Sequence, residues 1–213
     1  MLNMDFSQRV VIETASMDWL PSPAAGVSRK PLAREDKESG HATSIVRYDA
    51  GSSFKAHPHP MGEEILVLEG TFSDESGDYS AGSYLRNPPG SSHAPFSEQG
   101  CVILVKLDQF AADDDLVVRI NSEISPWQND SDNLHSLELH EHASEQTQLL
   151  RLRAGAELAV TPSAQGEELL VISGSLRDTQ QVYPAGSWIR SPHSGEYSAG
   201  DEETLIWRKT GHL

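Results

Sequence analysis

The chain has 213 residues, with 16 Lys and Arg against 32 Asp and Glu, for a formal charge of −16. That length accommodates one large domain or two small ones, and a hydrophobic share of 37% is enough to bury a core. The acidic balance, with no cluster of Lys and Arg, excludes nucleic acid and anionic membrane surfaces as partners, because phosphate affinity comes from such clusters.

In chain order, residues 43–48, 64–68 and 101–105, then 148–152, 169–172 and 204–207, form short apolar runs bounded by turn residues. Each reads as a strand. Turns are supplied by Gly77-Asp78, Ala81-Gly82 and Pro88-Pro89-Gly90, and no segment keeps a helical period over three turns. The expectation is an all-β protein. Its single cysteine, Cys101, allows no internal disulfide and no thiolate zinc site, which points to a reducing compartment. Residues 1–6 have no basic segment leading into an apolar run, and no stretch reaches the roughly eighteen apolar residues of a membrane span. A cytoplasmic, soluble protein is expected.

The strand pattern occurs twice. Gly62-Glu-Glu-Ile-Leu-Val-Leu-Glu-Gly70 reappears as Gly166-Glu-Glu-Leu-Leu-Val-Ile-Ser-Gly174. Likewise Tyr79-Ser-Ala-Gly-Ser-Tyr-Leu-Arg-Asn-Pro88 reappears as Tyr183-Pro-Ala-Gly-Ser-Trp-Ile-Arg-Ser-Pro192, all at an offset of 104. Two tandem domains of one fold follow, 1–112 and 113–213, with the acidic segment 111–115 as the junction. Trp19 and Trp127 precede the two copies in similar polar, Pro-containing sequence, so each domain opens on an extended arm.

The first copy alone carries a histidine constellation. His57 and His59 lie two apart in an extended segment, which points both side chains to one face. By itself this spacing more often describes a pair of loop or core histidines. Here Glu63 follows, and His93 sits beyond the Pro88-Pro89-Gly90 turn, where a second strand can return to the same face. Three imidazoles and a carboxylate suit a divalent transition metal.

Gly51, His57-x-His59, Glu63 and Gly70 resemble the first cupin motif in residue type and spacing, and Gly82, Pro88-x-Gly90 and His93 resemble the second. Ser97 stands where that second motif usually has Asn. More narrowly, residues 62–70, the acidic hairpin 74–79, residues 84–90 and Gly100-Cys101 resemble the zinc-binding cupin domain of ChrR-type anti-sigma factors. The resemblance spans about residues 17–108 and extends weakly into the second half. It implies two tandem cupin domains, each a small jelly-roll β-barrel, and one divalent metal held by His57, His59, Glu63 and His93. Zinc is the first expectation, with iron, manganese or nickel as alternatives.

Glu63-Glu64 recurs as Glu167-Glu168 where the histidines do not, so one glutamate of the pair has a structural role. Glu63 is assigned to the metal and Glu64 to an ion pair with Arg86, with the reverse assignment left open. The ligand positions map onto Thr161, Ser163, Glu167 and Tyr197 in the second copy, which is therefore expected to be metal-free. Tyr197 reads as a plug more than a pocket wall. His140-x-His142 lacks the rest of the motif and is read as solvated surface, and the isolated His41, His135, His193 and His212 are each read as a surface or capping residue rather than a ligand.

Three functions follow. The resemblance implies a regulatory or sensory metal cupin that responds to an oxidant or a small-molecule ligand. An anti-sigma domain has no room in this chain, which argues against a sigma factor as partner. The alternative is a non-haem metal-dependent dioxygenase acting on a small diketone or phenolic ketone, and the third is a binding module without chemistry. Monomer and homodimer both fit.

Overall fold

The computed structural model describes residues 1–36, 39–158, 160 and 165–213. All six apolar runs are strands: Ala42–Tyr48, Glu63–Asp74, Cys101–Leu107, Glu145–Leu152, Glu167–Ser173 and Thr204–Thr210. The only helical element among the described residues is the single 3-10 turn Thr14–Ser16. Among the described residues no helix is long and apolar enough to cross a membrane.

The chain forms two compact units. The first comprises Met1–Met4 and Asp18–Ser125. Its main antiparallel sheet runs in the order Val118–Asn121, Ser83–Asn87, Glu63–Asp74, Cys101–Leu107, Ala42–Tyr48, Val27–Arg34, Leu20–Pro21. The second layer is made of short pairs, His57–His59 with Ser91–His93 and Ser52–Ser53 with Phe96–Ser97. Glu63–Asp74 bridges the two layers: it pairs with Cys101–Leu107 at its start and forms the hairpin to Gly77–Ser80 at its end. An extra residue at Leu68 and the left-handed Gly70 (φ 70°) bend it between them. Between the layers pack Val27, Tyr48, Ile65, Phe72, Leu85 and Ile103. This is the barrel of a jelly roll.

The second unit comprises Asp5–Met17 and Pro126–Leu213. Its main sheet repeats the same order, Val10–Glu13, Ser187–Ser191, Glu167–Ser173, Thr204–Thr210, Glu145–Leu152, Leu134–His142, Gln128–Ser131. The core again lies inside the barrel, around Leu152, Leu169, Leu176, Tyr183, Ile189 and Ile206.

These units differ from a division at 112/113 in two segments. Residues 113–125 close the sheet of the first unit through Val118–Asn121 against Ser83–Asn87. Asp5–Met17 closes the second through Val10–Glu13 against Ser187–Ser191. Nor is the acidic segment 111–115 simply solvated, since Asp114 is buried and ion-paired with Arg86. The tryptophan arms do behave alike. Trp19 lies under Lys30 and Arg47, and Trp127 lies under Arg151, each cation about 4.5 Å from the ring centre.

Candidate metal centre

The histidines meet because of one short ladder. His57–His59 pairs antiparallel with Ser91–His93, His57 opposite His93 and His59 opposite Ser91. Alternation then turns His57, His59 and His93 to one side. Pro58 and Pro60 lack the N–H of a helix or a central strand and hold the segment extended at the sheet margin. Gly62, with φ 83° and its N–H on the His59 carbonyl, turns the chain into Glu63. The three imidazole rings lie 4.8, 5.4 and 4.9 Å apart between centres.

One donor atom from each histidine lies within 4.8 Å of the others. Glu63 Oε2 is 3.4 Å from His59 Nε2 and 3.2 Å from His93 Nε2. Yet both Nε2 atoms are buried without a well-formed hydrogen bond, so the approach to the carboxylate has the distance but not the alignment. Buried lone pairs converging on a carboxylate oxygen are the signature of a site shaped for a cation. The donor set therefore fits a divalent metal.

Neighbours orient the donors. His57 Nδ1 donates to the Lys55 carbonyl at 2.9 Å, which leaves Nε2 as the acceptor nitrogen. His93 Nδ1 lies 3.3 Å from Asp74 Oδ2, the carboxylate–imidazole arrangement that fixes a metal ligand. Asn87 Nδ2 donates to Glu63 Oε2 at 2.9 Å, and Arg119 Nη2 holds the Asn87 carbonyl oxygen at 2.6 Å. Sequence reasoning missed Asp74, Asn87 and Arg119. Ladder partners of Glu63 could have found Asn87, which stands directly opposite.

The same ladder separates the two glutamates. Glu63 faces the barrel interior, whereas Glu64 faces the other way, with Arg86 Nη1 3.5 Å from Glu64 Oε2. Arg86 is itself capped by the Phe110 ring at 3.9 Å.

Electrostatics follow from this crowding. Burial pushes His59 below the ordinary imidazole value, opposed by the Glu63 charge and reinforced by His93 and His57. Burial would lower His93 as well, but Glu63 and Asp74 outweigh it and hold His93 above the usual value. For Glu63, burial favours the neutral acid, and the contacts from His93, His59 and Asn87 overcome it, keeping the carboxyl below its normal range.

Three of the donors, His57, His59 and Glu63, line a cavity of about 520 Å3. Tyr48, Phe54 and Val105 are among its apolar lining.

In the second unit the carboxylate is already answered. Glu167 is fully buried, and Arg208 reaches it through Nε at 2.9 Å and Nη2 at 2.8 Å, while the Gly195 N–H donates at 3.0 Å. Thr210 lies opposite Glu167 as Leu107 lies opposite Glu63, so Arg208 occupies the position of Val105. An offset of 104 hid this, because the last strand matches at 103. Tyr197, in the place of His93, is buried with its ring 6.0 Å from Tyr183. Thr161 and Ser163 lie outside the described residues.

One histidine expectation requires correction. His140 is buried on its strand and only His142 is partly exposed, their rings stacked 6.5 Å apart. His212, partly exposed, places Nε2 3.1 Å from Glu168 Oε2.

A family profile described as the ChrR cupin-like domain matches residues 7–111 and again 115–213. No curated protein sequence matches the chain. Among solved structures, a candidate dioxygenase from Nostoc punctiforme superposes with TM-score 0.77 at 16% identity, over 96% of this chain and 82% of that one. The Ylba protein of E. coli superposes at 0.72 with 14% identity, over 98% and 93%. The oxalate decarboxylase of Lactobacillus farciminis superposes at 0.68 with 12% identity, over 95% and 86%. At such identities these likenesses concern the fold.

Proposed function

The chain belongs to the ChrR cupin-like family, and on that premise we propose that its first cupin domain is a mononuclear metal site that works on a small organic molecule, best described as a metal-dependent dioxygenase. One observation carries this reading: the four candidate ligands His57, His59, Glu63 and His93 do not form a sealed cluster, since three of them line a cavity of about 520 Å3 with a partly apolar lining. A closed tetrahedral zinc site with four protein ligands has no use for such a space. A six-coordinate iron, manganese or nickel with the same four ligands keeps two positions for exogenous molecules. When bound, such an ion supplies Lewis acidity and one-electron chemistry toward dioxygen.

The protein residues have defined work around it. His57 and His93 are held in the tautomer that presents Nε2 inward by Lys55 and Asp74. Asn87 and Arg119 fix Glu63. Tyr48, Phe54 and Val105 give the cavity an apolar surface against which a substrate body would pack. The second cupin domain has an internal cation, Arg208, where the first has an apolar residue, and on this reading it is structural and metal-free.

The test is dioxygen uptake by iron-, manganese- or nickel-loaded protein across a panel of diketones and phenolic ketones. Consumption that is lost in His57→Ala/His59→Ala supports the reading, and none with any metal or substrate removes it. Family membership supports a second, sensory reading, in which zinc fills the site and an oxidant releases it. Zinc that leaves on oxidant treatment, with no oxygen uptake, would select that reading.

A further inference from the structure

One turn beside the cavity carries a side chain that the fold does not require. The strand Cys101–Leu107 runs into Asp108, whose φ is 56°, in the left-handed region that glycine alone enters without strain. The second unit makes the same turn with glycine. Gly211, with φ 75°, follows Thr210 as Asp108 follows Leu107. The Asp108 N–H donates to the Gly62 carbonyl at 3.0 Å and the Gly211 N–H to the Gly166 carbonyl at 3.2 Å, and two residues on Phe110 and Leu213 repeat the match on the Met61 and Gln165 carbonyls. The turn therefore closes without a side chain. What differs is the space beside it. A Cβ on Gly211 would collide with the Ser144 carbonyl oxygen, whereas Asp108 lines the cavity of the histidines together with Ser39 and Gly40. Asp108 is half-buried; its Oδ1 accepts the Met61 N–H at 3.2 Å, and its Oδ2 accepts no hydrogen bond from a described residue. Burial pushes His59 down, and the Asp108 charge joins that of Glu63 in opposing it, which places the carboxylate close to the candidate donors. A carboxylate oxygen held at a cavity wall without a donor is costly unless a molecule entering the cavity supplies one.

We propose that Asp108 receives a hydroxyl group of the molecule that enters this cavity, so that the site selects phenols and enols over the corresponding ethers, the rest of the molecule lying against Tyr48, Phe54 and Val105. A hydroxyl that donates to a carboxylate makes a charge-assisted bond, about twice as strong as a neutral one. The half-buried setting strengthens it further by lowering the local dielectric. An ether offers only an acceptor, so its binding leaves the carboxylate desolvated and unanswered, and it is rejected for that reason. A purely conformational role does not account for the residue. Aspartate is tolerated at positive φ, but glycine and asparagine satisfy the same turn without placing a charge in a cavity. The inference names the substrate class of the site assigned above and rests on that reading for the cavity being the place of action, but not on the identity of the metal.

The experiment is calorimetric titration of the manganese-loaded full chain with para-hydroxyacetophenone and with its methyl ether, para-methoxyacetophenone. It is repeated on Asp108→Asn, which keeps an acceptor for the Met61 N–H, and on Asp108→Gly, which copies the second unit, with metal content measured on every sample. The wild type is expected to bind the phenol at least about tenfold tighter than the ether, and both variants to bring the two within about twofold while ether affinity and metal content stay at the wild-type values. No binding of the phenol, equal binding of phenol and ether by the wild type, or a preference that survives in both variants would overturn the proposal. An Asp108-dependent preference without oxygen uptake by any loaded sample would defeat the dioxygenase reading and leave this one standing. Uptake that is lost in His57→Ala/His59→Ala, beside a preference untouched in Asp108→Asn and Asp108→Gly, would do the reverse. If one variant fails to fold by circular dichroism, the other decides.

Discussion

Replacing Asp74 by Asn tests how the protein holds its candidate ligands. Asp74 is buried and uses its two oxygens differently: Oδ1 accepts the Ser76 N–H at 2.8 Å and lies 3.4 Å from the Tyr79 hydroxyl, while Oδ2 faces His93 Nδ1 at 3.3 Å. Asparagine keeps the Oδ1 acceptor, so the hairpin is preserved, and it places an amide N–H against His93. Two donors then face each other. The imidazole relieves this by moving its proton to Nε2, which removes the lone pair needed by the metal. Loss of such an orienting carboxylate costs about 10–100-fold in metal affinity, or about 1.4–2.7 kcal/mol. Competition with a chromophoric chelator measures it directly, with circular dichroism confirming an unchanged fold. Affinity within about twofold of wild type would refute the role assigned to Asp74.

Arg208→Leu should strip the buried Glu167 of its partner and cost about 3–5 kcal/mol, read by denaturant unfolding through Trp188 and Trp207, which are both buried in that unit. A loss below about 1 kcal/mol would show that the ion pair is dispensable. Gly70→Ala should destabilise by about 1–3 kcal/mol or more, because φ is 70° and a Cβ would collide with the Gly100 carbonyl oxygen; Gly174→Ala, with φ 70° and Glu203 and Thr204 as obstacles, should behave alike. Thermal melts within a degree of wild type would contradict this. Burial raises the Cys101 thiol above its usual value, against weaker lowering by Ser97 and Tyr48, so less thiolate exists at neutral pH than for a free cysteine. A disulfide reagent should therefore label it only after unfolding, and rapid labelling of the native protein would count against the buried placement.

Much of this architecture was legible in the sequence, for identifiable reasons. Apolar alternation and bounding turns locate the strands because burial of one face dictates them locally, and the repeat copies that pattern. The meeting of His57, His59, Glu63 and His93 was legible because the His-x-His spacing on a two-residue period is itself local, and the ladder of His57–His59 with Ser91–His93 brings the distant histidine in. What stayed hidden depends on pairing between remote segments. Asp74 meets His93, and Arg119 meets Asn87, only because of hairpins and edge strands whose partners no residue type announces. Arg208 was obscured by a one-residue shift in the last strand. His140 was misread because exposure of a strand residue depends on what the rest of the fold lays over it.

The central claim is that the first cupin domain binds one divalent metal through its histidine cluster and the second binds none. Plasma mass spectrometry of untagged protein, beside His57→Ala/His59→Ala, tests it most directly. The account predicts about one metal ion per chain in the wild type and essentially none in the variant. No metal in either protein after loading, or about one ion per chain retained by the variant, would contradict it.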